Sequence, residues 1–185
     1  MEVNPEKALC RFEFYEILVR VAHVKYKETG ICSTYADALQ MLLKENIFKY
    51  ANPEPWQEFR DEELWTLDVN DIFEANIEGL KKVYSVYWEP RKKYMTYQDA
   101  QNLFMKDTPL NLIEKEAIFC YGLSKMTVVT ESDSSWQYKQ LKFVELLEMI
   151  GRVAHMKFKG TDMESLPLAK KIEFVLDQIL KLVDV

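Results

Sequence analysis

Two stretches decide the fold: Arg20-Val21-Ala22-His23-Val24-Lys25-Tyr26-Lys27 and Arg152-Val153-Ala154-His155-Met156-Lys157-Phe158-Lys159. They are one motif written twice, 132 residues apart from His23 to His155. The match runs backwards, with Leu9, Glu13, Glu16 and Arg20 falling on Leu141, Glu145, Glu148 and Arg152. It also runs forwards: Ser33 falls on Ser165 and, after a one-residue shift, Leu39, Leu42 and Leu43 fall on Ile172, Val175 and Leu176. A helical hairpin at 9–47 therefore recurs at 141–180. One account is a duplication kept for packing. The other is one full unit behind the tail of a preceding unit, which makes the chain a slice of a longer tandem array or a subunit that stacks head to tail.

Outward from the repeat, the spacing predicts an all-α chain. Five Gly and six Pro among 185 residues disfavour a loop-rich β fold, and the aromatic and aliphatic content suffices for a real core. Helices are expected at 12–27, 34–46, 71–87, 96–106, 109–123, 142–159 and 167–182. Thr34 with Asp37 reads as a capping pair. Phe73, Ile77, Leu80, Tyr84 and Tyr87 share one face of the third helix. Pro109 suits a first helical turn. The expected organisation is an N-terminal hairpin (1–50), an acidic aromatic linker (51–69), two helix–loop–helix units (70–160) and a C-terminal helix (161–185).

A net charge of −6 argues against nucleic acid as the partner. No apolar run approaches the roughly 20 residues that span a bilayer, and the charged, polar stretch Met1 to Lys7 does not read as a signal peptide. Cys10, Cys32 and Cys120 are odd in number and widely spaced, which suits free buried thiols in a reducing, cytoplasmic setting.

The stretch Leu141-Lys142-Phe143-Val144-Glu145 closes one helix–loop–helix unit, Met95-Thr96-Tyr97-Gln98-Asp99 closes another, and Leu9-Cys10-Arg11-Phe12-Glu13 repeats the pattern. This exit pattern resembles that of EF-hand proteins of the calmodulin and centrin type, and of EF-hand modules in protist ciliary and axonemal proteins. The resemblance implies that Met95 and Leu141 occupy position 8 of a twelve-residue loop, where two loops pair as a short antiparallel ladder. It places Asp99 and Glu145 at position 12, the bidentate ligand position. The remaining ligand positions do not fit a cation. Trp88, Pro90 and Lys92 fall at positions 1, 3 and 5 of the first loop, and Ser134, Trp136 and Tyr138 in the second. Arg91, Lys92 and Lys93 carry the wrong sign, and neither loop has Gly at position 6. Both standard sites are expected to be dead. Glu131, Asp133 and Glu145 are the residual metal candidates, with Glu145 better read as a helix-start charge.

No phosphate loop, HExxH, CxxC or nucleophile elbow occurs, and His23 and His155 read as packed rings on helix flanks. No cofactor and no enzymatic activity are expected. Trp56, Phe59, Trp65, Trp88 and Trp136 are the candidate partner contacts. The expectation is a calcium-independent scaffold or adaptor for a protein partner. By resemblance, that partner belongs to a ciliary or other cytoskeletal assembly, such as a microtubule. The alternatives are a calcium sensor with a non-standard loop around 131–133 and a helical enzyme with an unrecognised site.

Overall fold

The computed structural model describes residues 9, 11–51, 55–88 and 92–183. Helices dominate them. In chain order these are α1 (Arg11–Ala22), α2 (Tyr35–Leu42), α3 (Trp56–Phe59), α4 (Leu67–Ala75), α5 (Ile77–Tyr87), α6 (Tyr97–Gln101), α7 (Glu114–Ser124), α8 (Glu131–Ser134), α9 (Phe143–Phe158) and α10 (Leu168–Ile179). The π turns His23–Lys27, Leu43–Ile47, Arg60–Leu64 and Asn102–Lys106 prolong α1, α2, α3 and α6. Two two-residue strands, β1 (Met95–Thr96) and β2 (Gln140–Leu141), pair antiparallel with Met95 opposite Leu141. Among the described residues no helix is long and apolar enough to cross a membrane.

The chain forms two compact units, Met1–Glu54 with Val129–Ser135 and Pro55–Val128 with Trp136–Val185. The first is built on the α1–α2 hairpin. Thr34 caps α2, its hydroxyl accepting from Asp37 N at 3.1 Å. Ala22, Tyr26, Cys32, Ala38 and Leu42 form a small core, and the Tyr26 hydroxyl donates to Asn46 Oδ1. Arg11 reaches Glu131 of the same unit, Nη2 to Oε1 at 2.6 Å. The helices turn back through Gly30 at φ +75°, a left-handed conformation that glycine adopts without a Cβ penalty.

The second unit holds the main core. It runs from Leu64 through Phe73, Leu80, Met95, Phe104 and Cys120 to Leu146, Ile150, Ile172 and Ile179. α9 is its axis, buried on every side from Glu145 to Ala154, with α7 and α10 packed along it. Gly151 lets the chain after α3 approach closely: a Cβ there would lie 2.1 Å from Leu64 Cδ1.

Three expectations are corrected in detail. The third helix begins at Leu67, not Asp71, and breaks at Asn76, whose side chain donates to Ile72 O at 2.8 Å and so competes with the helix's own bonding. The helix expected from Pro109 begins at Glu114. Asn111 sits at φ +49°, which no right-handed helix accommodates, and Glu116 reaches back to Ile113 N at 3.1 Å to start the helix there. Within the acidic aromatic stretch, residues 56–64 are helical, and Leu64 lies in the core of the second unit.

Candidate functional site

The second unit concentrates its polar groups around the two paired loop ends. Helix α6 starts at Thr96 with a reciprocal cap: Asp99 N donates to Thr96 Oγ1, and Asp99 Oδ2 accepts from Thr96 N at 2.7 Å. At the matching start of α9, Glu145 Oε2 accepts from Lys142 N at 2.7 Å. The two carboxylates expected at loop position 12 thus serve as helix caps.

Glu145 does more. Its side chain is 2% exposed and pairs with Lys125 Nζ at 2.6 Å, the lysine side chain being 7% exposed. Glu145 Oε1 also accepts from Met126 N at 3.0 Å. The Lys125 ammonium donates to Gln140 O as well, on the strand that pairs with β1. One tethered cation therefore ties the end of α7, strand β2 and the start of α9 together. Burial pulls the Lys125 pKa down, while Glu145 pulls it back up.

Tyrosines complete the belt. The Tyr84 hydroxyl donates to Leu141 O and that of Tyr121 to Tyr138 O, each at 2.8 Å. The Tyr138 hydroxyl accepts from Val128 N at 3.1 Å. Burial raises the pKa of both Tyr84 and Tyr121, with the Glu145 charge adding to it. The loop backbone is thus held by a lysine and by phenols, where a metal-binding hairpin would use ligand oxygens around an ion.

A second network lies on α9, buried at Glu148 and Arg152 and half-buried at Arg60. Glu148 Oε1 takes Arg152 Nη2 at 2.7 Å, and Oε2 takes Arg60 Nη2 at 3.1 Å. The Arg152 guanidinium lies over the Phe59 ring at 5.2 Å, and Phe59 meets His155 edge-on at 5.0 Å.

The residues singled out in the sequence part company. Phe59 packs against the core as described. Trp88 is half-buried and lies 5.9 Å from the Tyr84 ring. Trp56 is exposed, and Trp65 lies at the surface 6.3 Å from Phe73. Exposed Trp136 lines an open hollow of about 560 Å³ with Tyr94, Tyr97 and Lys139 beside the ladder. Of the metal candidates, Glu131 is engaged by Arg11 in the first unit, where Asp133 is exposed, and Glu145 is engaged by Lys125. Among the described residues no group of three or more His, Cys, Asp and Glu side chains is placed to hold a metal ion. Cys32 and Cys120 are buried free thiols, and burial pushes the Cys120 thiol up to about 12; Cys10, Pro90 and Arg91 lie outside the described residues. Lys125 and Arg60 were not singled out in the sequence, where each reads as a solvated charge.

No protein-family model, no curated protein and no solved structure matches the chain.

Proposed function

We propose that this chain is a metal-independent helical scaffold, derived from an EF-hand-like plan, that docks a protein partner and catalyses no reaction. The observation that carries the reading is the buried Lys125–Glu145 pair. A paired calcium hairpin uses the ion to pull the carboxylate at its last loop position inward, and so fixes the angle between the flanking helices. Here an ammonium from the chain itself holds that carboxylate, next to a ladder that joins Met95 to Leu141. Lys125 supplies what an ion would supply, but permanently. The helices then keep one arrangement, and a fixed helical framework with exposed apolar side chains suits a standing partner better than a switched one. On the resemblance alone, that partner belongs to a cytoskeletal or ciliary assembly.

Titration calorimetry and thermal melting with calcium, against chelator, test the reading. No binding heat and an unchanged melting temperature are expected. Micromolar calcium binding, or a melting temperature raised by calcium, would instead support a sensor.

A further inference from the structure

The two copies of the repeated hairpin are dressed differently. In α9 the stripe Leu146, Met149 and Val153 is fully buried, and Met156 is half-buried. The repeat-equivalent stripe on α1 and the π turn that prolongs it is Phe14, Ile17, Val21 and Val24, and each of these is 38–59% exposed. Beside it runs the same i,i+4 ion pair. Arg152–Glu148 has side chains 6% and 4% exposed, whereas Arg20–Glu16 has them 76% and 57% exposed. In α9 the second oxygen of Glu148 takes Arg60. Glu16 engages Arg20 through Oε1 and has no second basic partner among the described residues.

An exposed stripe of Phe, Ile and Val beside an ion pair is unusual for a surface helix, whose open face is ordinarily polar. The α9 copy shows what covers such a helix. α7 packs along α9, contributing Ala117, Cys120, Tyr121 and Ser124 as its buried side, and Arg60 caps the acidic edge. From this we infer that the open face of α1 is the seat of an amphipathic helix from another protein, packed as α7 packs on α9. That helix presents small and aromatic residues at i, i+3, i+4 and i+7, as Ala117, Cys120, Tyr121 and Ser124 do on α7. The α7 of a second copy is not the occupant, because it is held in that copy's own core through Cys120 and Tyr121. The inference deepens the scaffold reading and rests on it, and the two fail separately. Calcium calorimetry tests the scaffold, and peptide binding tests the face.

The probe is a fluorescein-labelled peptide of residues 111–126, the α7 sequence with its cap, titrated into the full chain under reducing conditions and followed by anisotropy. Saturable binding is expected. It should weaken at least tenfold in the double variant I17D/V21D. It should not change in Val86→Asp, an exposed apolar position on α5. Circular dichroism should show wild-type helicity in each variant. If I17D/V21D loses helicity, Val24→Asp takes its place with the same two readings. Absence of saturable binding, or equal binding by the stripe variant, overturns the inference. So does sedimentation in which the chain alone dimerises through Ile17 and Val21, because the occupant is then a second copy.

Discussion

Replacing Lys125 by Met removes the cation that pairs with the buried Glu145 carboxylate while keeping the length of the side chain. The carboxylate keeps its two backbone donors, Met126 N and Lys142 N. It loses the ammonium at 2.6 Å, and Gln140 O loses a donor too. Breaking a buried ion pair from one side costs about 3–5 kcal/mol, because an uncompensated charge stays behind. The surviving backbone donors put this case at the lower end, about 3 kcal/mol. For a chain of this size that is a melting-temperature drop of roughly 6–12 °C. Glu145→Gln is expected to cost less, about 1–2 kcal/mol. The lysine left behind keeps the Gln140 carbonyl as an acceptor, and burial already lowers its pKa. The double variant K125M/E145Q should recover at least ~1.5 kcal/mol relative to K125M, giving a clear coupling energy. Urea unfolding at pH 7, followed by circular dichroism, measures all three. If K125M costs less than ~1 kcal/mol, or the two single costs simply add, the pair is not what holds the loops together and the reasoning fails.

Two other outcomes are expected. Gly151→Ala should destabilise by about 1 kcal/mol, as crowding of Leu64 at 2.1 Å outweighs the helix-propensity gain of up to ~1 kcal/mol. In a Leu64→Ala background the same change should become neutral or stabilising, and thermal melts that show no sign reversal would refute the contact. Stability should also fall as pH rises above 10, the unperturbed tyrosine value. Tyr84 and Tyr121 have folded pKa values raised by burial, so above pH 10 the folded chain holds more protons than the unfolded one. Absorbance at 295 nm should register these two phenols only as the fold opens, and a smooth titration of every tyrosine in the native state would contradict their burial.

Helical class and most helix positions were legible because they rest on local signals. The repeat paired α1–α2 with α9–α10, the cap at Thr34 lies where the spacing puts it, and Phe73, Leu80 and Tyr84 are buried together, although on two helices and not one. The apolar loop residues Met95 and Leu141 were also visible as a pair, and the ladder joins them. What was not legible is non-local. Lys125 meets Glu145 across 20 residues, and Arg60 meets Glu148 across 88; in sequence neither Lys125, between Ser124 and Met126, nor Arg60, before Asp61, carries any mark of a distant carboxylate partner. The missed break at Asn76 and the late start at Glu114 turn on single backbone choices, a side chain bonding to Ile72 O and a left-handed Asn111, that hydropathy does not report.

The clasp between Arg11 and Glu131 has a temporal side. The two residues lie 120 positions apart in one compact unit. A ribosome adding about 5–20 residues per second needs roughly 6–24 s to make the chain between them. Through that interval the α1–α2 hairpin is without its acidic counterpart, so this contact closes long after the helix that carries Arg11 is made.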